Sequence, residues 1–178
     1  MTALLLAAAL AADVPAGALR ITDIDGVSHD LSGRPAVLVF AKTACPVGNA
    51  YQPTLRRLAK AWGEDVPLAV LHIEGRTDAA AAKAHRAEYD VPGVVAIDAG
   101  QRLAALTGAT IAPEAVVLDA SGVVRYRGRI DDLFLGFGKR RQVATTRELA
   151  DAVEAVRTGR PVEVSRTEAV GCRIRFAK

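Results

Sequence analysis

A chain of 178 residues, 51% hydrophobic and 24% charged, has the length and composition of one globular domain with a full apolar core. A net charge of +3 is too small to point to nucleic acid, and the basic cluster Lys139-Arg140-Arg141 contains no aromatic residue and reads as a solvated loop. Two cysteines without a CxxC pair, and three scattered histidines (His29, His72, His85), do not form the close-spaced ligand set of a structural zinc site, so neither metal nor cofactor is expected.

Residues 1–12 form an uncharged apolar run with Ala9-Leu10-Ala11 as a small-residue cleavage site, like the apolar region of a signal peptide. A run of about ten apolar residues is too short to span a bilayer. Export, to a periplasm or beyond, is the expectation; the missing basic residues ahead of the run leave a cytoplasmic location open. Residues 13–178 then make up the folded domain.

Residues 19–24 and 27–31 read as a hairpin turning on Asp25-Gly26. Residues 36–40 are continuously apolar and fit a central strand covered on both faces. A helix follows Cys45, with Leu55, Leu58, Ala59 and Trp62 on one stripe and Pro53 as a kink. Residues 68–73 predict a second strand, and Asp78 caps an alanine-rich helix over 79–89 that carries His85 on a face open to solvent. A third strand spans 93–97, and a short helix over 101–107 stops at Gly108. Residues 114–118 and 123–129 pair across Asp119-Ala120-Ser121-Gly122, with Arg125, Arg127 and Arg129 sharing one face. The last helix starts at Thr145, in a capping box with Glu148, buries Leu149, Val153 and Val156, and ends at Gly159. Alternating strands and helices, closed by a hairpin and a helix, give an α/β fold with a mixed sheet flanked by helices.

Cys45 lies between the apolar strand and its helix, with Pro46 in the first helical position, where the missing N–H costs nothing. A thiol there faces unpaired N–H groups and the positive end of the macrodipole, which favour thiolate, the nucleophilic form. A packing role is the alternative.

This order of elements resembles the thioredoxin fold. Cys45 matches the first active-site cysteine, Pro53 the kinking proline, and Ile111-Ala112-Pro113-Glu114 the loop whose cis-proline, here Pro113, faces the cysteine and its substrate. Within that superfamily the chain is most similar to redoxins of the alkyl hydroperoxide reductase/thiol-specific antioxidant type, and especially to peroxiredoxin-like proteins. Cys45-Pro46, Ala112-Pro113-Glu114, the run from Tyr126-Arg127-Gly128-Arg129 to Ile130-Asp131-Asp132, and Gly171-Cys172-Arg173-Ile174 carry the likeness, over residues 17–176. The resemblance implies reduction of peroxides or disulfides by Cys45, with a thiol reductant as second partner and no membrane span.

Two departures stand out. The peroxiredoxin threonine three residues before the cysteine is Lys42 here, with Thr43 one place later, and Gly48 replaces the second cysteine of a CxxC. Intramolecular resolution of a sulfenic acid therefore falls to Cys172, in a C-terminal stretch where local unfolding is cheap. A permanent disulfide and an unpaired thiol are its other readings. Arg127, or else Arg129, is the candidate for polarising a peroxide, with surface charges on a strand as the other reading; Thr43 and Asn49 are candidates for orienting it, or else for a capping or loop role, and Pro46, Pro113 and Asn49 for lining the substrate site. The alternatives to an oxidoreductase are a redox-inactive or sensing binding domain and, more remotely, a copper protein.

Overall fold

The structure, a computed structural model, describes residues 12–75 and 77–176; the first eleven residues of the apolar run, including Ala9-Leu10-Ala11, lie outside the described residues. The chain opens with a hairpin of β1 (Arg20–Thr22) and β2 (Ser28–Asp30), registered Arg20 to Asp30. Its tip turns over Ile24-Asp25-Gly26, with Gly26 at φ 86°, so the loop has three residues rather than the two that Asp-Gly suggested. The Asp23 carboxylate holds that tip by accepting from the N–H groups of Asp25 and Val27.

β3 (Ala36–Ala41) is buried at every position, as a continuously apolar strand must be. It is followed by α1 (Pro46–Ala50), α2 (Gln52–Trp62), β4 (Leu68–His72), α3 (Ala79–Tyr89), β5 (Val94–Ile97) and α4 (Arg102–Thr107). Then come β6 (Ile111–Ala112), β7 (Glu114–Leu118), β8 (Val124–Gly128), a small hairpin of β9 (Phe134–Gly136) and β10 (Lys139–Arg140), α5 (Glu148–Arg157) and β11 (Cys172–Arg173). The main sheet has the order β5-β4-β3-β7-β8, with β3, β4 and β5 parallel and β7 and β8 antiparallel to their neighbours.

Alternation along β3 divides the core. Val37 and Val39 join Leu55, Trp62, Leu149 and Val153 on one face of the sheet; Leu38 and Phe40 join Leu71, Leu103, Val116 and Leu118 on the other. Both edges are covered. The hairpin tip pairs Asp23 with Ala96 and bonds Ile24 N–H to Val95 on β5. On β8, Arg127 N–H donates to Ser165 O and Thr167 N–H to Arg127 O, while Asp13 pairs with Val123.

Other expectations are corrected as well. The helix breaks at Tyr51, one residue before Gln52 and two before Pro53, instead of running through with a kink. Thr145 does not cap α5: its hydroxyl donates to Asp132 Oδ2 at 2.5 Å and its N–H to Asp132 Oδ1 at 2.6 Å, Glu148 pairs with Arg129, and the helix begins at Glu148. Arg129 does not share the side on which Arg125 and Arg127 lie, because β8 ends at Gly128, whose backbone packs against Thr167, and Arg129 turns to Glu148 on α5. His85 is buried, not open to solvent. Lys139 and Arg140 are exposed but belong to the β9–β10 hairpin, and Arg141 pairs with Asp132 at 3.1 Å. Among the described residues no helix is long and apolar enough to cross a membrane.

Candidate active site

β3 delivers the chain to Cys45, whose φ of −88° and ψ of 109° are those of a residue flanking a helix start. Pro46, exposed, is the first residue of α1, and Asn49 N–H donates to Cys45 O at 2.9 Å. The sulfur is completely sealed: Cys45 has 0% exposure. Its S–H donates to Ala112 O at 3.2 Å.

The peptide bond between Ala112 and Pro113 is cis, as the resemblance implied. β6 ends at this bond, and β11 pairs with β6 antiparallel, setting Cys172 opposite Ala112. The two cysteines are free thiols with sulfurs 3.1 Å apart. Cys172 is only partly buried and forms the outer member of the pair. Burial, and then the hydrogen bond to Cys45, push its thiol up to about 11; the Lys42 ammonium pulls weakly the other way.

The strand carrying Cys172 is pinned along its length. Lys42 Nζ donates to Arg173 O at 2.8 Å, Ile174 N–H to Thr110 O at 2.8 Å, and Gln101 Nε2 to Arg175 O at 2.8 Å. Gly171 is required by close approach: a Cβ built there would lie 2.6 Å from Ala112 C and 2.9 Å from Pro113 Cδ. This replaces the loose C-terminal stretch expected from its place after the last helix.

Thr43 and Asn49 belong to a polar group under the cysteine loop. Thr43 donates to Glu74 Oε1 from its N–H at 2.7 Å and from its hydroxyl at 3.0 Å. Asn49 Nδ2 donates to Thr43 O at 3.0 Å, and Asn49 Oδ1 meets His85 Nε2 at 2.9 Å. His85 stacks edge-on against His72 at 4.9 Å, and His72 Nδ1 lies 3.9 Å from Glu74 Oε2. Burial holds the pKa of both histidines down, that of His72 to about 4, so they stay neutral at pH 7. No local pattern marks Glu74 or the two histidines as neighbours of the loop, since they come from separate elements. Among the described residues no cluster of three or more His, Cys, Asp or Glu side chains is suited to a metal ion.

Arg127 is directed elsewhere. Its Nη1 donates to Thr107 O at 2.9 Å and its Nε lies 3.6 Å from Glu114 Oε1. The rest of the Tyr126 to Asp132 run ties elements together: Tyr126 OH donates to Arg129 O at 2.6 Å, Tyr51 OH to Asp131 Oδ1 at 2.8 Å, and Asp132 accepts from Thr145.

No protein-family model matches the chain, and no curated protein matches it. Solved structures do. A conserved protein of uncharacterised function from Geobacillus kaustophilus aligns over 94% of this chain and 92% of its own, with TM-score 0.78 and 24% identity. A hypothetical protein from Sinorhizobium meliloti 1021 aligns over the same shares, with TM-score 0.76 and 22% identity. A secreted Mycobacterium tuberculosis disulfide oxidoreductase, homologous to E. coli DsbE, aligns over 76% of this chain and 94% of its own, with TM-score 0.56 and 25% identity. The fold is thioredoxin-like, of the α/β class, with a five-stranded mixed sheet flanked by helices.

Proposed function

We propose that the protein is a thiol-based oxidoreductase in which Cys45 and Cys172 cycle between a dithiol and an intramolecular disulfide. The observation that carries this reading is the 3.1 Å separation of two sulfurs from distant parts of the chain, beside the carbonyl that precedes a cis-proline. A movement of about 1 Å brings them to covalent distance. The likeness to a disulfide oxidoreductase of the same fold supports a disulfide as substrate. That neighbour is secreted, and an oxidising compartment favours such a pair, which together support export.

The partial exposure of Cys172 makes it the thiol that meets the substrate. It must first lose to solvent the proton that burial and Cys45 hold on it; the thiolate then attacks a disulfide RS–SR′, R′S⁻ leaves and takes a proton from solvent, and Cys172 is joined to RS. Cys45, as thiolate, then attacks the Cys172 sulfur. The Cys45–Cys172 bond forms, the Cys172–SR bond breaks, and RS⁻ leaves to be protonated. The substrate gains two electrons and two protons from the dithiol, and an external thiol reductant restores it.

Peroxide reduction is the second reading, favoured by a thiol already in place to trap a sulfenic acid. Cys45 would attack ROOH to give Cys45–SOH and ROH, and Cys172 would displace water to form the same disulfide. Against it, Thr43 is bound to Glu74, and the guanidinium of Arg127 is bound to Thr107 and Glu114.

Mass spectrometry after exposure to glutathione disulfide tests the scheme. Wild type is expected to form the Cys45–Cys172 bond and release two glutathiones, Cys45→Ser to retain one glutathione on Cys172, and Cys172→Ser to stay unmodified. Faster closure with hydrogen peroxide would favour the second reading. No Cys45–Cys172 bond with either oxidant would leave a redox-inactive binding domain.

A further inference from the structure

The arginines of β8 face a cavity that the redox pair does not use. Its volume is about 690 Å³, and it is bounded by β8, the ends of α4 and α5, and the segment 159–166. Arg125, Arg127, Arg160 and Arg166 line it against one carboxylate, Asp119, so the lining carries four positive charges and one negative, a net of +3. Asp119 is already engaged by Arg125 Nε at 2.6 Å.

The open guanidinium capacity belongs to the segment 159–166. Arg127 contributes charge from a fixed position, held by Thr107 and by Glu114 with its Nε buried. Arg160 uses Nε on Thr158, and exposed Arg166 makes no side-chain hydrogen bond or ion pair among the described residues. Like charges gathered in a concavity repel one another and concentrate a positive potential there. The lining also includes the apolar side chains of Val124, Val156, Pro161 and Val162, beside the arginines in the chain. A volume of this size suits a small molecule, with polar groups fixing its head and apolar walls holding its body.

We propose that this cavity binds a small phosphate monoester with an apolar substituent. Several guanidinium forks can share the three terminal oxygens and double charge of a phosphate monoester, where a carboxylate engages one fork. The apolar side chains of the lining would take the substituent. Neither Cys45 nor Cys172 lines the cavity, so the proposal stands whatever the redox reading proves to be.

Calorimetric titration with phenyl phosphate at low ionic strength tests it, with inorganic phosphate and phenol as companion probes. Phenyl phosphate is expected to bind one-to-one, more tightly than inorganic phosphate, with affinity falling as salt rises; phenol gives no heat. Replacing both Arg160 and Arg166 by Ala is expected to weaken phenyl phosphate binding about tenfold or more, the loss of charge-assisted hydrogen bonds. The melting temperature without ligand and the rate of disulfide closure should not change. Arg166→Gln, a change at one exposed side chain, serves in its place if the double variant does not fold. Absence of one-to-one binding, or equal affinity in the variant, overturns the assignment. Equal affinity for inorganic phosphate and its phenyl ester overturns the apolar half of it.

Discussion

Replacing Gly171 by Ala perturbs the redox pair without touching either sulfur. The added Cβ would lie 2.6 Å from Ala112 C and 2.9 Å from Pro113 Cδ, and backbone at that distance does not yield as a flexible side chain does. The strand β11 must therefore move off β6, which takes Cys172 away from Cys45. Overpacking of this kind costs about 1–3 kcal/mol. In the dithiol state the strand relieves the clash by undocking, whereas a Cys45–Cys172 bond holds it in place. The penalty thus falls mainly on the disulfide. At about 30 mV per 1.4 kcal/mol for a two-electron couple, the reduction potential should rise by ~20–60 mV, making the disulfide easier to reduce. Equilibration in glutathione buffers, followed by alkylation and mass spectrometry, reads the shift. An unchanged potential in a folded variant would show that the approach of Gly171 to the cis-proline does not set the spacing of the two thiols.

Three further outcomes are expected. His72 has 0% exposure and its pKa is lowered to about 4, so the native state keeps it neutral while the unfolded chain binds a proton near pH 6.5. Stability should therefore be full above pH 6.5 and fall by ~3 kcal/mol on acidification to pH 4. Both its ring nitrogens lack hydrogen-bond partners, so His72→Leu should flatten this slope in urea titrations with little loss at pH 7, leaving only the part that His85, also held neutral by burial, contributes; an undiminished slope would sink the assignment. Alkylation of Cys172 should keep accelerating with pH beyond the usual thiol range of about 8.5, because burial and Cys45 hold its proton; a plateau below that value would contradict the raised pKa. Phe40→Ala, at a fully buried position of the central strand, should lower unfolding stability by ~3–5 kcal/mol.

What the sequence revealed follows the range of the interactions concerned. The central strand, the Asp78 cap and the Gly108 stop depend on near neighbours, and each lies where its pattern implied. Thr145 was misread because Asp132, thirteen residues earlier, outcompetes a local capping box for its hydroxyl. His85 was misread because an alanine-rich helix shows no apolar stripe to mark its buried side. The position of Cys45 was legible from the strand-to-helix transition, but its burial was not. The cover comes from β11, a two-residue strand with no periodic pattern, held by backbone bonds to Thr110 and by Lys42 and Gln101. The face taken by Arg129 depended on where β8 ends, which the alternation of arginines did not signal.

Both rims of the main sheet are occupied by the chain's own backbone, the hairpin tip at β5 and the segment through Ser165 and Thr167 at β8. An open rim invites strand addition by another chain, whether in aggregation or in recognition of an extended peptide. A partner at either rim would first have to displace these native pairings. Recognition should consequently run through side chains and the thiols rather than through an added strand, which makes it sensitive to point substitutions in a way that backbone recognition is not.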